Sequence, residues 1–356
     1  MTQPLLGITA TAIAVAISLA YVALFDFPTF VGSVSLYMLA LIPMQIVVVV
    51  LWGANPGFIR GKGQPAKGIY LLVVTALTAA IVTPLVLRAV GEGVTPPGPI
   101  PSQFAVIVVP TTFFMAIAFG GWPFTTVVKH SMAAGLLLLV ASYLLTFAIF
   151  RMFFNYEFLQ GAPVYLASAP HGMFNGVMAL VFYVTMLAGL FLLLHFDLWP
   201  LALFPSLMKQ PVLGMTWTVL AFAVGALTMM LSTRTWMLDP MYVLTRITAP
   251  FIFGTIIVLN MLEGSLFRNL RQPVKGLISA AAAFVVGAAL ARMYGALADA
   301  VAGARLLSGG PGYDYELWLV NALLSVTFPF LIFYAAYFGF WPLRSVAAAT
   351  KTGAEV

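Results

Sequence analysis

The sequence predicts an all-α, polytopic membrane protein with about ten transmembrane helices arranged as repeated parallel hairpins. Three observations carry this expectation. Charged residues make up only 7% of the 356 positions and apolar residues 62%, whereas a soluble domain is about a quarter charged because its surface must be solvated. Ten stretches are apolar over roughly the 20 residues that a helix needs to cross a hydrocarbon core of about 30 Å. A short motif also recurs in the loops at one end of these stretches. The same composition excludes soluble-enzyme, coiled-coil, collagen-like and disordered classes. The absence of cysteine excludes disulfides, Cys-ligated zinc, iron–sulfur clusters and thiol catalysis.

Taken in order, the spans are 5–25, 33–53, 68–90, 103–121, 132–154, 172–194, 213–232, 247–266, 276–298 and 317–340. They are continuously apolar, without the alternation of a barrel strand, so they read as helices. Met1-Thr-Gln-Pro carries no basic leader, so the first span is expected to be a retained helix rather than a signal peptide. Pro43, Pro84, Pro110, Pro250 and Pro329 fall inside spans, where proline is tolerated and marks kinks. The chain is expected to form one integral-membrane unit over 1–356. Its hairpins are approximately 1–60, 61–125, 126–205, 206–270 and 271–345, followed by a tail at 346–356.

Charge gives an orientation. Ten basic and three acidic residues, net +7, lie at one end of the spans, and all the lysines are among them. The other end holds six arginines and seven acids, net −1. Basic loops stay on the cytoplasmic side, so a bacterial-type inner membrane with both termini in the cytoplasm is the expected setting. The basic balance belongs to these loops and the lipid they face. No nucleic-acid partner is expected.

The basic loops resemble one another. Lys62-Gly-Gln-Pro-Ala-Lys-Gly68, Lys209-Gln-Pro-Val-Leu-Gly214 and Arg271-Gln-Pro-Val-Lys-Gly276 share Gln-Pro-x-x-Gly after a basic residue, and Lys129-His130-Ser131 stands at the equivalent place in a fourth loop. Even-numbered spans approach these loops through Trp122-Pro123, Trp199-Pro200 and Trp341-Pro342. Tryptophan anchors a helix at headgroup depth, and proline near a first turn lacks only an N–H that would be unpaired anyway. The pattern reads either as parallel repeats of one hairpin or as interface grammar common to membrane helices.

Candidate ligand-binding residues are Arg88, Arg151, Arg234 and Arg292, which recur near the acidic ends of odd-numbered spans, and His171. An arginine inside an inserted helix costs about 2.5–3.5 kcal/mol at the centre, so it is usually paired or faces a cavity. If several converge, their planar forks suit carboxylate or phosphate. Snorkelling to headgroups, or pairing with Glu157, Asp239, Asp299, Asp314 or Glu316, is the ordinary alternative. His171 is expected to open the sixth span, where the helix dipole favours the neutral imidazole. His130 and His195 are the one pair at matching depth for a bis-histidine haem, but their neighbours look interfacial. No ligand spacing identifies a cofactor. Asn175, Asn260, Asn321 and Glu263 are the remaining polar candidates inside spans, with Glu263 expected to pair with Arg268 or Arg271. No phosphate-binding loop, dinucleotide fingerprint, nucleophile elbow or zinc-protease motif occurs.

Three functions compete. The first is a carrier or permease for a small, anionic solute. The second is a non-transporting subunit whose outer loops, 155–170 and 299–316, dock a protein partner. The third is a membrane haem or metal enzyme using histidines. Self-association of the chain is compatible with each.

Overall fold

The computed structural model describes residues 1–344. Lys351, Glu355 and the tail 346–356 therefore lie outside the described residues. Ten helices are long and apolar enough to span a membrane: α1 Leu5–Val22, α2 Phe27–Leu51, α3 Ala66–Val90, α4 Pro99–Ala118, α5 Ser131–Phe153, α6 Gly176–His195, α7 Val212–Thr235, α8 Pro240–Met261, α9 Val274–Ala302 and α10 Asp314–Tyr337. The protein is thus an all-α integral membrane protein. Its only strands among the described residues are β1 Phe154–Asn155 and β2 Phe174–Asn175, paired in parallel.

The helices sort into two layers. In α2, α4, α8 and α10, 72% of the most apolar window is buried inside the protein, against 22% in α3 and 33% in α7 and α9. The even helices touch in the order α2, α4, α6, α8, α10 and back to α2, which makes an inner ring. The odd helices lie outside it. Phe113 of α4 packs edge-on against Phe191 of α6 at 5.1 Å and Phe328 of α10 at 6.1 Å, so aromatic side chains fill the middle of the ring.

Each outer helix is strapped across an inner one, and α9 shows how. It starts against α6, where Gly276 sits under the Phe196 ring. It then crosses α8, where Gly287 meets the backbone of Pro250 and Gly254 meets Ala283; a Cβ on either glycine would collide with a carbonyl oxygen. Its far end reaches α10, where the Tyr294 hydroxyl bonds Thr327 at 2.6 Å. The buried face of α9 at this crossing is Ala280, Ala283, Gly287 and Ala291. Small residues let backbones approach closely where lipid removes the hydrophobic drive for association.

The recurring Gln-Pro-x-x-Gly has a mechanical role. The last carbonyls of a helix have no intrahelical donor, and a glutamine just before an outer helix supplies one to an inner helix: from α3 to α10, α7 to α4 and α9 to α6. The Nε2 groups of Gln64, Gln210 and Gln272 donate to the carbonyls of Tyr337, Ala118 and His195 at 2.7, 2.9 and 3.1 Å. Each Oε1 then accepts the amide of the motif's own glycine, Gly68, Gly214 or Gly276. That glycine faces an aromatic ring, Phe338, Phe119 or Phe196, with no space for a Cβ. Gln3-Pro4-Leu5-Leu6-Gly7 has the same spacing and makes the same pair of bonds, to the Met261 carbonyl at 3.0 Å and from Gly7 at 3.2 Å. At the start of α5, where the sequence has no glutamine, Gly135 still packs against Trp52.

Several polar residues sit elsewhere than their sequence positions suggested. Asn175 caps α6, accepting from the amides of Val177 and Met178, because the helix begins four residues later than the apolar run. Asn260 is exposed. Glu263 lies past the end of α8 in a left-handed turn (φ 51°) and pairs with Arg344 at 2.6 Å, not with Arg268 or Arg271. Asn321 alone of the four is an interior helix residue, bonding the Leu317 carbonyl and Ser325.

Candidate functional site

Arg88, Arg151, Arg234 and Arg292 project from four different outer helices, α3, α5, α7 and α9, and all are exposed. The structure does not gather them into one cluster. Of the acids expected to neutralise them, Asp239, Asp299 and Glu316 are engaged elsewhere. Asp239 caps the Met241 amide and accepts from the Tyr313 hydroxyl. Asp299 accepts from Leu306, and Glu316 from Ser308 and Gly309. Among the described residues, no ion pair involves an arginine at this end of the helices.

Arg151 is tied into the long connection between α5 and α6. Its Nη1 donates to the Ser168 carbonyl at 2.7 Å, while Glu92 accepts the Ser168 amide at 2.6 Å. One peptide unit is therefore clamped from both sides by side chains of opposite charge. The Ser168 amide holds the Glu92 carboxyl below its ordinary range. His171 is in the same loop, five residues before α6 rather than at its first turn. Its Nδ1 stands 3.1 Å from Glu157 Oε1, so the imidazole faces a carboxylate and not the helix dipole.

The remaining candidate, Arg292, shares a cleft with an arginine that sequence reading left out. Tyr242, Arg246 and Pro250 follow one another at four-residue spacing on one face of α8, and Phe284, Ala288 and Arg292 do so on α9. Together with Ala291 they line a cleft of about 310 Å³. The two helices touch backbone to backbone at Gly254 and Gly287 and then part, because α9 leaves α8 for α10. Arg246 and Arg292 stand where they part. Arg246 is six residues into its span, about 9 Å along the axis. It is held by Tyr315 of α10, with its guanidinium 5.3 Å from the ring centroid and Nη2 3.3 Å from the hydroxyl. Gly295 of α9 makes room for that hydroxyl, which a Cβ would strike.

This arrangement is electrostatically one-sided. Two guanidiniums share a cleft in an otherwise apolar span, and neither has a carboxylate within ion-pair distance among the described residues. Such a pair repels itself until an anion enters, and a bidentate anion can satisfy both forks. A signal for Arg246 existed in the sequence, since the i, i+4, i+8 face of α8 mirrors that of α9. The pairing needed the fold, because the two arginines are 46 residues apart.

The two histidines considered as a haem pair have unlike surroundings. His130 is exposed at the start of α5. His195, expected near the interface, is 1% exposed. Its two ring nitrogens are already bonded, Nδ1 to Ser279 at 2.7 Å and Nε2 to Thr255 at 3.0 Å. The reason is the α9 strap, which begins over the end of α6 and covers it. Among the described residues, no group of three or more His, Asp or Glu side chains is placed to hold a metal. A larger crevice of about 550 Å³, lined from α1, α2, α3 and α10, contains aliphatic and aromatic side chains but no charged group.

Comparison with protein-family models, with curated proteins and with solved structures gives no match.

Proposed function

We propose that this protein is a membrane transport protein for a small anionic solute, built from one repeated hairpin, and that Arg246 and Arg292 bind the anion. The observation that carries this reading is the pair of arginines without carboxylate partners among the described residues, in one cleft between two apolar spans. Isolated charge is costly at that depth, so a cleft that keeps two like charges is best understood by the counter-ion it receives. The recurring glutamine locks support the repeat, and the lysine-bearing loops support a bacterial-type inner membrane with that end in the cytoplasm. The test is uptake of carboxylates, phosphates and sulfonates into liposomes carrying the purified protein, with direct binding measured alongside. Saturable uptake lost in Arg246→Ala and Arg292→Ala is the expected result. Uptake equal to that of empty liposomes, with anion binding indifferent to both substitutions, would refute it.

A second reading rests on a different observation. The inner ring is packed through its middle by Phe113, Phe191 and Phe328, and the outer loops expose Phe158, Phe174, Trp236 and Met237. A non-transporting subunit that docks a partner on this face has these properties too. Purification in mild detergent separates the two readings: a stoichiometric partner released by Trp236→Ser and Phe174→Ser favours the subunit, and a protein that purifies alone or with itself favours the carrier.

A further inference from the structure

The α8–α9 cleft changes polarity along its length. At its outer end stand Arg246 and Arg292; towards the middle of the spans its lining becomes Pro250, Phe284 and Ala288, with no polar side chain. Behind this lining the seam is shut by backbone contacts of Gly287 with Pro250 and of Gly254 with Ala283. Its two flanks end in exposed aromatic side chains, Tyr242 at 49% and Phe284 at 41%. On the inner side Tyr315 closes the space beside Arg246. The cleft is therefore open sideways, where an outer helix faces lipid, as well as at its charged end. The nearest carboxylate along α8, Asp239, is occupied by the Met241 amide and the Tyr313 hydroxyl.

We infer that the ligand of this cleft is an amphiphile, with one anionic carboxylate or phosphate head and a single aliphatic tail, and that it enters from the bilayer between α8 and α9. The inference rests on the reading of Arg246 and Arg292 as an anion site and names what that anion is attached to. Charge sits at the end nearer the surface and apolar lining at the end nearer the middle of the membrane. A lipid-like molecule of that leaflet has the same polarity, so it moves in sideways without turning over. Burying its tail against Phe284 and Pro250 gains hydrophobic contact only to the extent that the cleft is tighter than lipid, so the head supplies most of the selectivity. A cleft of about 310 Å³ lies at the small end of ligand pockets, which favours a head and one chain over a two-chain phospholipid.

The experiment uses the full chain in nanodiscs of phosphatidylcholine, with bound molecules counted by native mass spectrometry. Dodecyl phosphate, dodecyl phosphocholine at the same mole fraction, and methyl phosphate are the probes. Expected are retention of dodecyl phosphate over the zwitterion, a loss of about tenfold or more in Arg246→Ala and Arg292→Ala, and weak retention of methyl phosphate. Phe284→Ser, at an exposed position, should keep the wild-type melting temperature, reduce dodecyl phosphate retention and leave methyl phosphate unchanged. Methyl phosphate bound as well as dodecyl phosphate, with Phe284→Ser silent and the arginine variants defective, would overturn the amphiphile while leaving the anion site standing. Retention of all three probes indifferent to the arginine variants would overturn both.

Discussion

On α5 and on α9 an arginine stands 16 residues after the glycine that seats its helix, Arg151 after Gly135 and Arg292 after Gly276. The two share a register, yet their surroundings are opposite. Arg151 meets a long loop and spends its guanidinium on the Ser168 carbonyl. Arg292 meets a second arginine. The difference lies in the inner helix each strap crosses. Fifteen residues before the carbonyl that receives a glutamine, α4 has Gln103, already accepting from the Tyr156 hydroxyl at 2.6 Å, and α8 has Arg246. A charge in a span is therefore fastened to a loop or left facing a second charge according to the helix beneath it.

The largest effect should come from breaking the seam that positions Arg292. Gly287→Leu forces α8 and α9 apart and should cost about 3 kcal/mol or more, seen as a lower melting temperature in detergent together with lost anion binding. The matching crossing of α5 over α4 relies on side chains, with Thr146 donating to Thr111 at 2.9 Å. Thr146→Ala should therefore cost only about 1 kcal/mol. Equal losses at the two crossings would remove the distinction drawn between a backbone seam and a side-chain seam.

Next in size is the exchange of roles between the arginines. Arg292→Ala should lower anion affinity about tenfold or more while leaving stability within about 0.5 kcal/mol, as expected for an exposed side chain. Arg151→Ala should leave anion affinity unchanged and speed hydrogen exchange across residues 157–171. If the two variants behaved alike, their common register would be the whole explanation. Gly295→Ala should give a smaller affinity loss than Arg292→Ala, because it displaces the Tyr315 hydroxyl that holds Arg246 and spares both charges.

The smallest effect concerns pH at the Arg151 clamp. The Ser168 amide lowers the Glu92 pKa in the folded protein, so this bond contributes fully above the ordinary carboxylate range and is lost as pH falls through the lowered value. Exchange in 157–171, corrected for its intrinsic pH dependence, should stay slow through the ordinary range and rise only in stronger acid. Glu92→Gln should remove that dependence. The α8–α9 cleft has no carboxylate of this kind, and its anion affinity should not follow Glu92.

Much of the frame was legible in the residues. Apolar length marks a span whatever its neighbours are, and lysines sort to one end because inserted charge is expensive, so ten spans and two unlike ends could be read directly. The recurrence of Gln-Pro-x-x-Gly was also visible, though its use as a cap for a sequence-distant inner helix was not. The N-terminal copy at Gln3 lacks the basic residue that draws attention to the others. His195 looked interfacial because Asp197 and Trp199 follow it; its burial comes from Ser279 on a strap 84 residues away.

Sequence alone determined that this protein is a stack of apolar helices with one basic end, because transfer into lipid acts on each segment separately. Tertiary structure decided which helices form the ring and which the straps. Lipid solvates an apolar surface as well as a neighbouring helix does, so inner and outer helices carry no contrasting polar face. It also decided that Arg246 and Arg292 share a cleft, because their meeting depends on where two glycines let α8 and α9 touch and where α9 leaves α8 for α10.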